Sequence, residues 1–120
     1  MPVRRCQAST EDTITHQVKL PVMCPVSSNP APGSVLSLTY SPSAGLVLDV
    51  DDLAAEVLAY VGGHISGVRD METTIQSLCR FAAVKVRAKV DACAELLILT
   101  SPETQQKLII RCSRDPENWD

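Results

Sequence analysis

The spacing of apolar residues changes twice along this chain of 120 residues, and each change limits what kind of element can form. From Ser34 to Tyr40 the segment SVLSLTY alternates, with Leu36, Leu38 and Tyr40 on one face and Ser37 and Thr39 on the other. A period of two marks a half-buried strand. After the turn SPSAG (41–45), Val50, Leu53, Ala54, Val57, Leu58 and Val61 recur at three- and four-residue steps, which is one face of a helix. Asp49 is placed to cap its start, Asp51 and Asp52 suit the positive end of the dipole, and Gly62-Gly63 stops it. A second helix is expected from near Asp70, with Met71, Ile75, Leu78, Cys79 and Ala82 as its apolar stripe. From Val84 the period of two returns, as Val84, Val86, Ala88 and Val90 alternate with Lys85, Arg87, Lys89 and Asp91. ELLILT (95–100) and QQKLIIRC (105–112) around SPET read as a hairpin. The pattern leaves open whether 84–100 is one long strand with a bulge near Cys93. TITHQVKLP (13–21), bounded by proline, reads as a further strand before a Pro-rich loop at 22–33.

The order is therefore strand, strand, helix, helix, strand, strand. Grouped strands and helices predict an α+β domain over residues 13–113, a mainly antiparallel sheet with both helices on one face. A flexible tail is expected at 1–12 and a short irregular one at 114–120. Hydrophobic residues make up 45% of the chain but aromatic ones only 3%, so the core must be built from Val, Leu, Ile and Ala. Such cores are common in domains that also bury surface by oligomerising. The net charge of −3 gives no general pull toward nucleic acid or an anionic membrane. No apolar run approaches the ~18 residues of a membrane span, and the first residues lack the apolar segment of a secretion signal, so a cytoplasmic location is expected. Five cysteines, Cys6, Cys24, Cys79, Cys93 and Cys112, form no CxxC pair, which argues for reduced thiols over a disulfide framework or zinc finger.

One of these thiols stands apart. In LPVMCPVSSNPAPGS (20–34), Cys24 directly precedes a proline, in a stiff loop between two expected strands. A nucleophile, a metal ligand and a structural turn all fit. A free thiol titrates near ~8.5, so a nucleophile needs help to ionise at neutral pH. Lys19 is the one basic residue within five positions, so that help is expected from helix termini or distant side chains.

Cys-Pro between the first two strands, Asn29-Pro30 after it, the strand SVLSLTYSP and a glutamate in DMETTIQSL together resemble the tunnelling-fold family. Within it, the likeness is to 7-cyano-7-deazaguanine (nitrile) reductase of queuosine biosynthesis and to its amidine-forming archaeal relative. The resemblance implies a ββααββ domain whose subunits join into a barrel. It implies that Cys24 attacks a nitrile carbon to form a thioimide, and that Glu72 holds the N–H edge of a purine-like base, free or within a nucleic acid. These two residues lie 48 positions apart (72 − 24), so the fold or a neighbouring subunit must bring them together. The reductases carry an aspartate proton donor where Ala31 stands, often a histidine where Met71 stands, and a lysine-containing cofactor stretch where DVDDL (49–53) stands. Three carboxylates at a helix start oppose a dinucleotide phosphate, so the resemblance points to amidine formation without NADPH.

His64, after the double glycine, is the nearest replacement acid or base, with an ordinary pKa near ~6.5. His16, within a strand, is a weaker candidate. No metal is expected for the nitrile chemistry. The same fold includes a metal-dependent GTP cyclohydrolase with a similar Cys-Pro loop, and under that alternative Cys24, His64 and Glu72 would hold a zinc-like ion. A purine- or pterin-binding module without chemistry is the third reading. Each residue also has a plain structural role. Cys24 fits a buried turn, Glu72 fits the first turn of a helix, and Lys85, Arg87 and Lys89 fit the solvated face of a strand rather than a tRNA-phosphate contact. A lone four-stranded sheet leaves its edges open, so a homo-oligomer is expected.

Overall fold

The computed structural model describes residues 3–5, 12–63, 65, 67–101 and 103–116. Eight elements follow one another: β1 (Val3–Arg5), β2 (Ile14–Lys19), β3 (Ala31–Tyr40), β4 (Leu46–Leu48), α1 (Val50–Leu58), α2 (Val68–Val86), β5 (Val90–Ser101) and β6 (Thr104–Arg114). β2, β3, β5 and β6 form one antiparallel sheet in that spatial order, while β1 and β4 pair as a separate ribbon.

Alternation decides which face of the sheet is buried. Leu36, Leu38 and Tyr40 of β3 and Val90, Ala92, Ala94 and Leu96 of β5 point to one side and are buried there. Leu53 and Val57 of α1 and Ile75, Leu78, Cys79 and Ala82 of α2 pack onto them in one apolar cluster. Both helices therefore cover one face. Each fully buried leucine or isoleucine contributes roughly 1.5–3 kcal/mol relative to exposure. The opposite face is polar, with Thr15 bonded to Thr39 at 2.9 Å and Gln17 to Ser37 at 3.3 Å.

Asp49 caps α1 as its position suggests, its Oδ1 accepting from Asp51 N (2.8 Å) and Asp52 N (3.2 Å). The helix ends at Leu58 rather than Val61 because the bonds tighten, Tyr60 N to Val57 O and Val61 N to Leu58 O, before Gly62 turns at φ 93°. Val50, Leu58 and Val61, on the expected apolar stripe, are 61%, 60% and 48% exposed, so the stripe is wider than the contact beneath it.

Three expectations are corrected. Residues 84–86 are the last turn of α2, not a strand. Val86 continues the stripe of Cys79, Ala82 and Ala83, and is fully buried. Arg87 ends the helix in the left-handed region at φ 54°. Lys85, Arg87 and Lys89 therefore form no strand face, and Lys85 instead reaches Asp52 at 3.8 Å and lies over the Phe81 ring. α2 begins at Val68, two residues before Asp70, which moves Glu72 into the second turn, away from the strongest part of the dipole. Residues 3–5, expected in a flexible tail, pair with 46–48 through their backbones, a contact that needs no apolar pattern. β5 runs through Cys93 without a bulge. Its irregularities fall between Leu99 and Ser101 against β6, and between Ala31 and Val35 against β3. The second is stitched by Ser34, whose hydroxyl donates to Ala31 O (2.8 Å) and accepts from Leu97 N (2.9 Å). Gly33 is required there. Its φ is +101°, and a Cβ would meet Leu97 Cδ1 at 2.9 Å.

Candidate functional site

The loop from Leu20 to Pro30 folds back on itself by satisfying its own backbone. Met23 N and Cys24 N both donate to Asn29 O (3.2 and 3.1 Å), and Ser28 N donates to Cys24 O (2.9 Å). Ser28 takes φ 61°, and the Asn29-Pro30 bond is cis. This turn places Ser27 N 3.5 Å from Cys24 Sγ, toward which it donates. Two contacts dock the loop on the segment leading into α2: Gly62 N donates to Met23 O (2.7 Å) and Ser27 Oγ donates to Ile65 O (2.9 Å). Asn29 fixes the other side, its amide accepting from Leu99 N (2.9 Å) and donating to Leu99 O (3.3 Å) at the end of β5.

Hydrogen-bond donors around a sulfur stabilise its anion. The Ser27 hydroxyl, whose one proton goes to Ile65 O or turns to the ionised sulfur, then the Ser27 amide, then the amides of Ile65 and Val26, pull the Cys24 thiol down to about 6, against the opposing effect of burial. At pH 7 the thiolate then outnumbers the thiol roughly ten to one. Cys24 is 1% exposed, so the sulfur is shut away from solvent. The help that the sequence sets at a distance comes from three residues away. Cys-Pro-Val-Ser is the local signal, because a serine at that offset in a tight turn can bond back to the first residue.

Glu72 lies elsewhere on α2. It faces an open groove of about 540 Å³ with Arg69 and Arg111, and pairs with Arg69 at 3.8 Å on the surface. Met71, its neighbour, turns into a more enclosed cavity of about 240 Å³ where the Cys-Pro loop, the start of α2 and the β5–β6 hairpin meet. Asn29 lines that cavity too, and Val68 and Leu108 are walls common to both spaces. The cavity thus sits between the loop that holds Cys24 and the groove that holds Glu72. His64, the expected acid or base, lies outside the described residues. Among the described residues, no three His, Cys, Asp or Glu side chains are disposed to hold a metal. The Cys24–His64–Glu72 set includes that undescribed histidine.

The chain matches no known family model, no curated protein and no solved structure.

Two further groups take structural places. His16 Nε2 bonds Tyr40 OH at 3.0 Å with the rings stacked, and Tyr40 OH accepts from Leu48 N (2.9 Å), which ties β2, β3 and β4 together. Burial lowers the His16 pKa. Cys79 on α2 donates to Val90 O (3.2 Å) and faces Cys112 on β6. Their mutual hydrogen bond, followed by burial, pushes Cys79 up, and the same bond, aided by Arg114, brings Cys112 down to about 7. The sequence treats Cys112 as a plain core thiol. Its thiolate character depends on Cys79, which only the fold brings near, and on Arg114, two residues along the same strand. No described helix is long and apolar enough to cross a membrane.

Proposed function

We propose that this chain is an enzyme of tunnelling-fold type that adds the Cys24 sulfur to the nitrile carbon of a 7-deazaguanine-like base and passes the resulting thioimide to an amine, giving an amidine. The observation that carries this reading is the shell of the sulfur. Ser27 turns donors onto a thiol held near 6, in a Cys-Pro loop docked against the approach to α2. The thiolate is the form that attacks carbon. In the first step an S–C bond forms, one C–N π bond breaks and the nitrogen takes a proton. His64, adjacent in sequence to Ile65, is assigned as that donor. In the second step the amine nitrogen adds to the same carbon and loses a proton, and the C–S bond breaks to return the thiolate. Nothing is oxidised or reduced, so no hydride donor takes part. Glu72 is assigned to the N–H edge of the base, where a carboxylate accepts two parallel bonds.

Two observations favour amidine formation over reduction. The Asp49 carboxylate already occupies the Asp51 and Asp52 amides that a cofactor phosphate would need at the start of α1. Ala31, buried in β3, offers no proton. Assembly into a barrel is part of the same proposal. The edges of β2 and β6 have no partner strand among the described residues, and the sheet face away from the helices is polar enough to line a tunnel. One observation favours a second reading, a binding module without turnover: Cys24 is only 1% exposed, so a nitrile reaches its sulfur only when the surrounding loop moves.

Incubation with 7-cyano-7-deazaguanine followed by intact-mass measurement tests the proposal. One adduct is expected, absent in Cys24→Ala and retained in Cys112→Ser. No adduct between about pH 6 and about pH 9 removes the thioimide and leaves the binding module. GTP consumption with added zinc or manganese, and no adduct, assigns the chain to the cyclohydrolase chemistry instead.

A further inference from the structure

We propose that Cys79 of α2 and Cys112 of β6 are a reversible redox pair, in which a hydroperoxide oxidises Cys112 and Cys79 then closes a disulfide that ties the helix layer to the edge of the sheet. The proposal does not rest on the chemistry of Cys24.

Topology places the two sulfurs together. Cys112 pairs with Ala92, so both side chains leave the sheet on the side that α2 covers. Cys112 packs there against the apolar cluster that holds Ala92 and Cys79. Cys79 is fully buried, with its Sγ 3.2 Å from Val90 O and in hydrogen-bond contact with the Cys112 sulfur. Both are free thiols. A disulfide needs sulfurs ~2.05 Å apart, so a pair already in contact closes by turning its side chains. β6 lies at the edge of the sheet with one neighbour, which leaves it room to follow. Cys93 is no competitor, because it pairs with Arg111 and projects from the opposite face. Among the described residues, no third His, Cys, Asp or Glu joins the two thiols in a metal-holding group.

The thiols divide the work by access and charge. Cys112 is half-buried and Cys79 fully buried, so a small oxidant meets Cys112 first. The Cys79 hydrogen bond, then Arg114, favour the Cys112 thiolate, while burial and the carboxylates of Glu72 and Asp91 oppose it. That sulfur attacks hydrogen peroxide: an S–O bond forms, the O–O bond breaks, and the leaving oxygen departs as water once protonated. Cys112 is now a neutral sulfenic acid. The charge that held the proton on Cys79 is gone. The Cys79 sulfur attacks the sulfenic sulfur, the S–S bond forms, the S–O bond breaks, and the departing hydroxide leaves with the Cys79 proton as a second water. The two thiols have lost two electrons and the peroxide has gained them. In the reduced protein Cys79 packs the core beyond the reach of reagents, but its partner sulfur is already in place. Closing the bridge also takes the S–H away from Val90 O, which leaves the bridge easier for a dithiol to reopen.

The test uses the full chain carrying Cys24→Ser, so that the loop thiol takes no part. It is treated with hydrogen peroxide and digested with trypsin without reduction. The peptides DMETTIQSLCR (70–80) and CSR (112–114) are expected to be joined, and to part in dithiothreitol. Cys112→Ser should abolish the joined peptide, Cys79→Ser should leave a Cys112 sulfenic acid that dimedone traps, and Cys93→Ser should change nothing. The bridge closes a span of 33 residues (112 − 79), so the thermal midpoint should rise by about 5 °C or more and fall back in dithiothreitol. No joined peptide at a dose that oxidises the urea-unfolded chain, a joined peptide through Cys93, a linkage that forms only in urea, or a midpoint that does not rise overturns the pair. If the bridge forms as described but the wild type gives no thioimide on Cys24, the pair stands and only the nitrile chemistry fails.

Discussion

Cys24 and Cys79 are equally hidden, 1% and 0% exposed, yet their protons are held in opposite ways. Around Cys24 the neighbours donate: the Ser27 hydroxyl and amide first, then the amides of Ile65 and Val26, and the thiol falls to about 6. Around Cys79 the neighbours demand a proton. Its one S–H has two acceptors in reach, Val90 O and the Cys112 sulfur, so the thiol is pushed up. Burial alone would raise both. The difference comes from backbone geometry. A tight loop turns its N–H groups inward onto the sulfur, whereas a mid-helix position has spent its N–H groups on the helix and meets the carbonyl edge of a strand. The thiol suited to attack carbon is therefore the one in the loop, and the thiol on the helix is packing.

The same substitution at both places gives the largest contrast. Cys79→Asp puts a carboxylate against a carbonyl in the apolar core and is expected to cost about 3–5 kcal/mol in urea unfolding. Cys24→Asp, among donors, is expected to cost clearly less. Equal losses would break the comparison. Next in size is Ser27→Ala, which removes the leading donor. The Cys24 titration should climb from about 6 toward the ordinary thiol range near ~8.5, cutting the thiolate fraction at mildly acid pH about tenfold, while Cys79 stays unreactive to iodoacetamide in the folded protein.

Stability against pH follows from the same two thiols. The Cys24 thiol titrates at about 6 when folded and near ~8.5 in an unfolded chain. Between these values the unfolded chain binds more protons, so stability rises with pH. This contribution is complete above about pH 9 and gone below about pH 6. Cys79 has the other sign, because its raised pKa costs stability only as pH passes the ordinary thiol value upward. Urea midpoints of the wild type and of Cys24→Ser across this window should diverge at neutral pH and converge in acid. Parallel curves would contradict the donor shell. The smallest effect belongs to Arg114→Gln. Arg114 supports the Cys112 thiolate only after the Cys79 hydrogen bond, so Cys112 should rise slightly from about 7, read by its alkylation profile, with Cys24 unmoved.

Much of the scaffold under this contrast is legible in the sequence, because period is set by burial. SVLSLTY and the Asp49-capped helix are read directly from alternation and from three- and four-residue steps. Val84 to Val86 mislead because two valines around a lysine fit both a strand and the end of a helical stripe. The deciding fact is that Val86 falls one turn beyond Ala82 and is buried with it. Arg87 then ends the helix in a conformation for which glycine is the usual signal, so nothing marks the stop. β1 and β4, three residues each, are too short to show a period. At the site, Cys24 stands out by its proline, but its activation depends on how the turn aims Ser27, which composition does not carry. The cavity lined by Asn29, Met71 and Leu108 joins residues from three separate segments, so only the fold reveals it.

The central claim is that Ser27 and the loop amides hold Cys24 as a thiolate at neutral pH. The most direct measurement is the β-carbon NMR shift of Cys24, followed in the folded Cys112→Ser protein from about pH 5 to about pH 10, since it reports ionisation without requiring a reagent to enter. A single transition near 6, moved upward in Ser27→Ala, is the predicted result. A transition at the ordinary thiol value of about 8.5, unchanged by Ser27→Ala, would contradict it.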